Sequence, residues 1–130
     1  MMEILRSIDI EDEVRKALNG HVTAYCRPLP KSPVFPCILV SKVGGSDTDR
    51  IDTFEVVLDS RAKEEADADA LLRNAIGILR AVAESQTTAL RYVTVNNSGS
   101  WGSDPARPDL AMCSARLSIT AHLEKTEVSK

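Results

Sequence analysis

The run Pro36-Cys37-Ile38-Leu39-Val40-Ser41-Lys42-Val43, then Gly44-Gly45, then Ser46–Arg50, then Ile51–Asp59, decides the fold. It reads as two strands joined by a polar connection, and it feeds a helical run that begins at Ser60 and lasts to Ser85. In the first arm Ile38 and Val40 share one face, while Leu39 and Val43 share the other. In the second arm Phe54, Val56 and Leu58 face one way; Ile51, Thr53, Glu55 and Val57 face the other. Apolar residues on both faces leave two arrangements open. Either the pair is central with both faces covered, or one face packs on something outside the chain. Gly44-Gly45 is read as the stop of the first strand, and Gly44–Arg50 as a connection too long and polar for a tight two-residue turn.

The following helix is expected over Arg61–Glu84, with Ser60 as its cap and Glu64, Glu65 and Asp67 early, where carboxylates suit the helix dipole. Leu72, Ala75, Ile76 and Leu79 form its stripe, widened by Ala68, Leu71, Ile78 and Val82. Such a width suits a well-buried core helix or one that also meets another subunit.

Upstream, residues 2–19 read as helix. Asp9 is a cap candidate followed by Glu11, Asp12 and Glu13; Ile10, Val14, Ala17 and Leu18 share a face, and Asn19-Gly20 ends the run. Ile4, Leu5 and Ile8 sit on a shifted face, as a separate piece or an extension. His21–Arg27 is a short strand candidate. Pro28, Pro30, Pro33 and Pro36 then make an extended connector that no central strand could contain. Downstream, Leu90–Asn96 and Ala111–Leu123 read as strands. In the latter, Cys113, Ala115, Leu117, Ile119, Ala121 and Leu123 alternate with polar residues. Asn97–Asp109 reads as a long loop and Glu124–Lys130 as a frayed charged tail. The expectation is one α+β domain over 1–130. Its small mixed or antiparallel sheet has about five strands with two helices on one face, in the order α-β-β-β-α-β-β.

Composition excludes some functions. The 130 residues carry a formal charge of −3, which disfavours a domain that grips nucleic-acid phosphates. Cys26, Cys37 and Cys113 are odd in number and widely spaced, which fits neither a zinc site nor a disulfide framework and suggests a reduced compartment. No signal peptide is expected from Met1-Met2-Glu3-Ile4, and no run reaches the roughly 20 apolar residues of a membrane span. The protein is expected to be soluble and intracellular when made.

No reaction chemistry stands out. Gly44-Gly45 lies between two strands and has no Gly-Lys-Ser/Thr after it, so it reads as a turn. His21 and His122 are the only histidines, and neither has the neighbours of a catalytic base. Asp47, Asp49 and Asp52 depart from calcium-loop spacing and read as a solvated acidic loop. No cofactor and no metal are expected. The long loop is the best functional candidate. Trp101, the single Trp, is either an interface anchor or a lid folded over the end of the core.

Taken in order, these features resemble the tail terminator (tail completion) proteins of long-tailed bacteriophages. The resemblance rests on the N-terminal helix, the Pro-rich approach, the strand Pro36–Val43 with its Val43-Gly44-Gly45 stop, and the Ile51–Asp59 strand. It continues through the helix with Ala62, Ala66 and Ala70, the loop Trp101–Pro108, and the strand Ala111–Leu123. It implies a non-enzymatic virion protein near the neck, made in the host bacterial cytoplasm. Six copies would form a ring that caps the tail tube, stops its growth and offers a surface to the head-side connector or stopper protein, with DNA passing through the lumen unspecifically bound. The alternatives are another neck component (head-closure or head-tail connector), or a small ligand-binding domain or enzyme. Separately from the family pattern, ring or tube contacts are placed at Gly44, Gly45, Asp47, Asp49 and Arg50 in the hairpin. Trp101, Asp104 and Arg107 are placed there in the later loop.

Overall fold

A computed structural model describes residues 1–47 and 51–129. Its elements are β1 (Met2–Arg6), α1 (Ile10–Leu18), β2 (Ala24–Cys26), β3 (Cys37–Asp47), β4 (Ile51–Ala62), α2 (Glu65–Ser85), β5 (Leu90–Gly102), β6 (Ala111–His122) and β7 (Glu124–Val128). The fold is α+β, with a mixed five-stranded sheet in the order β2-β3-β4-β6-β5 and a two-stranded sheet β1-β7. Only β2 and β3 run parallel; the other ladders of the large sheet are antiparallel.

The period-two pattern sets which face is covered. Phe54, Val56 and Leu58 of β4 stand in register with Ile119, Leu117 and Ala115 of β6, and all six are buried. Ile38 and Val40 extend this row on β3, and Leu90 on β5. Against it pack Ile10, Val14 and Leu18 of α1 and Ala68, Leu72, Ala75, Ile76, Leu79 and Ala83 of α2. The α2 stripe is wide because this helix lies over four strands and also touches α1. The other face of β4, with Thr53, Glu55, Val57 and Asp59, is half-buried and carries no helix. The hairpin is central, as the first arrangement left open by the sequence has it, but helices cover only one of its faces; the other carries no helix, although Leu39 and Ser41 on it are buried.

The helix caps follow local chemistry unevenly. Asp9 caps α1, its Oδ1 accepting from the Asp12 N–H at 3.2 Å. Ser60 does not cap α2. It is buried in β4 and its hydroxyl donates to the Ala68 carbonyl at 2.7 Å. Two ladders hold β4 extended to its end, since Arg61 pairs with both Cys37 and Met112, so α2 starts after Glu64.

Four other expectations are corrected. Residues 2–6 are strand, not helix, and residues 124–128, expected to fray, are their antiparallel partner. An Arg6–Glu124 ion pair of 2.7 Å joins the two strands across 118 residues of sequence. Gly44-Gly45 does not end β3; the strand absorbs a bulge between Lys42 and Gly44 and continues to Asp47. At Gly45, with φ +151°, an added Cβ would fall 2.5 Å from the Thr53 carbonyl oxygen, so only glycine lets the two backbones approach. Finally, β5 runs on through Asn97–Gly102, expected as loop. Its register shifts at three points while it stays paired with β6, and the irregular segment shortens to residues 103–110.

Candidate assembly surfaces

Apart from Trp101, the described residues among those singled out in the sequence fall into two groups at opposite ends of the sheet. The twelve residues of β4 separate them by roughly 35 Å at ~3.3 Å per residue.

At the hairpin end, Gly44 and Gly45 belong to β3, and Asp47 closes it as the register partner of Asp52. Asp49 and Arg50 lie outside the described residues. Glu11 of α1 fixes this end from the helix side. Its Oε2 accepts from the Lys42 backbone N–H at 2.9 Å and from the Arg27 guanidinium at 2.8 Å. Partial burial pushes the Glu11 carboxyl up, but those hydrogen bonds outweigh it and hold the group below its ordinary range. Arg27 also donates to the Lys42 carbonyl at 3.1 Å, so one carboxylate and one guanidinium tie α1, the segment after β2 and the β3 bulge together.

At the far end, Asp104 and Arg107 come together in the 103–110 segment. Arg107 N–H donates to the Asp104 carbonyl at 2.9 Å, and Ala106 N–H to the Asp104 side chain at 2.9 Å. Asp104 also pairs with Arg61 of β4 at 2.7 Å, where the guanidinium is nearly buried. Its carboxylate is thus a clasp between loop and sheet. Arg107 stacks over the Phe35 ring at 4.9 Å and pairs with Asp109, whose carboxyl it holds below the usual range. A hollow of about 620 Å³ opens between this loop and α2, with Phe35, Leu71 and Leu110 in its wall.

Trp101 belongs to neither cluster. It lies on β5 opposite Cys113 and is 52% exposed, so it is not a lid over the core. Tyr92, on the same strand, is 72% exposed. β5 is an edge strand, and its stretch Tyr92–Gly102 carries no charged residue. Exposed edges are normally blunted by charge, proline or bulges. Here only the bulges are present.

Cys37 and Cys113 are buried and Cys26 partly so, and burial pushes all three up from the ordinary thiol range, which disfavours the reactive thiolate. Among the described residues no helix is long and apolar enough to cross a membrane.

Asp52, expected in a solvated acidic loop, is instead a buried residue of β4, and sequence reasoning passed over Tyr92 and Arg61. Asp52 could have been found, since it continues the buried phase of Phe54, Val56 and Leu58 by one step. Arg61 was hidden by its assignment to a helix. Compared with known families and with curated proteins, the chain matches no family model and has no significant curated match.

Proposed function

We propose that the protein is a tail terminator of a long-tailed bacteriophage, a subunit of a ring that caps the tail tube and presents a surface to the head-side connector. The observation that carries this reading is the uncovered part of the sheet. One face bears both helices while the other carries none and is only half-buried along β4, and the uncharged edge Tyr92–Gly102 ends in an exposed Trp101. An edge of this kind is a liability in a free monomer and an asset in a subunit whose neighbours cover it. The two edges, β2 and β5, are unlike each other. That suits a head-to-tail contact, in which one patch meets a different patch on the next copy. A helix-free face with Thr53, Ser118, Thr120 and the Glu55–Arg116 pair would give passing DNA no cluster of cations to adhere to.

Negative-stain microscopy of particles lacking the protein tests the reading. Tails of uncontrolled length, or normal-length tails unjoined to heads, are the expected result; wild-type particles would sink it.

A further inference from the structure

One rung of the large sheet crosses all five strands. Ala24 of β2 is the register partner of Ile38, Ile38 of Ser60, Ser60 of Cys113, and Cys113 of Trp101 on β5. The two ends of this rung are the two free edges of the sheet. Register partners share a face, and Ala24, Ile38 and Cys113 belong to the core under the helices, so Trp101 lies on that same side. It is 52% exposed and is the single Trp of the chain.

The other end of the rung opens into a hollow of about 700 Å³. Ala24 and Cys26 of β2 line it, with Arg15 of α1 and with Val22, Tyr25 and Pro28. The hollow is open at the sheet edge, so a side chain from outside can enter it.

The two ends match in level, direction and chemistry. In a ring whose axis runs along the strands, rotation from one copy to the next leaves height along the strand unchanged. Trp101 of one copy then arrives at the level of Ala24 of its neighbour. Tyr92 does not: its rung passes through Thr120 and Thr53 to Ser46 of β3, where β2 does not reach. β2 and β3 run parallel, and the three antiparallel ladders that follow leave β5 running against β2. The same rotation therefore sets the two edges antiparallel, the more stable pairing. The stretch Tyr92–Gly102 brings no charge to desolvate. In the hollow, the Arg15 guanidinium is already paired with Asp12 at 2.6 Å, and a guanidinium is attracted to the face of an indole.

We propose that Trp101 of one copy fills the hollow beside β2 of the next, so that the sheet runs on from subunit to subunit. This contact rests on the ring reading and names the residues at its seam. Unlike patches meet in it, as a head-to-tail ring requires.

The single Trp makes the test direct. Emission of the wild-type chain is followed alongside sedimentation, and it should move to shorter wavelength as rings form, because the indole leaves water. Trp101→Ala should still melt cooperatively, since the side chain is half exposed, and should lose self-association by roughly 30-fold or more, as truncation of an interface anchor does. Ser98 shares the rung of Cys26 through Val40, Leu58 and Ala115. Ser98→Cys, oxidised with copper phenanthroline in solution or on isolated tube ends, should therefore link to Cys26 of the next copy and give a ladder of joined subunits. The same variant with Cys26→Ser should give none. Rings that form with unchanged emission, rings formed equally well by Trp101→Ala, or assembled Ser98→Cys without the Cys26 link would overturn the contact and leave the ring reading standing. A wild-type chain that stays monomeric both in solution and on tube ends would overturn both.

Discussion

At the scale of single residues, glycines divide into those the backbone needs and one it does not. Gly45 is needed: Gly45→Ala drives a Cβ into the Thr53 carbonyl and should cost on the order of 2 kcal/mol. Urea denaturation measures this, and an unchanged midpoint would mean that the β3–β4 approach is looser than described. Gly77 is not needed. It sits exposed inside α2 with open space around its Cα, so Gly77→Ala should add about 1 kcal/mol. Glu11 makes stability depend on pH. Its folded-state pKa is depressed, so its contribution is full above the unfolded value of about 4.3. That contribution is lost as pH falls through the lower folded value. Glu11→Gln should therefore flatten the acid side of a plot of melting midpoint against pH. A wild-type acid limb in the variant would show that the carboxylate does not tie α1 to β3.

At the scale of elements, the local pattern was legible and the non-local pairing was not. Asp9 announces α1, and Cys113 to Ala121 announce β6, because a cap and a period of two are written within a few residues. The β1–β7 ladder is not, since Met2–Arg6 and Glu124–Val128 become strands only by meeting each other. The two-faced hairpin could be read as a pair of strands, but not which face carries no helix. That depends on where α1 and α2 land. Of the candidate contacts, Gly44 and Gly45 were visible as special backbone, while the buried position of Asp52 needed the strand phase carried one step further. Cutting the chain after Leu123 removes β7 and leaves β1 unpaired. Hydrogen exchange should then show lost protection at Ile4 and its neighbours, with the β4–β6 ladder unchanged, because a two-stranded sheet adds little on its own. Global loss of protection would contradict the separation of the two sheets.

At the scale of the whole molecule, the chain is a sheet with helices on one face only and a long uncharged edge that ends in an exposed Trp101. Both are incomplete surfaces, and together they favour a subunit over a solitary protein. The most direct measurement is electron microscopy of purified tail tubes incubated with the protein and then with further tube subunits. The account predicts a single ring of added density at one tube end and no growth beyond it. Tubes that elongate as they do without the protein, with bare ends, would contradict it.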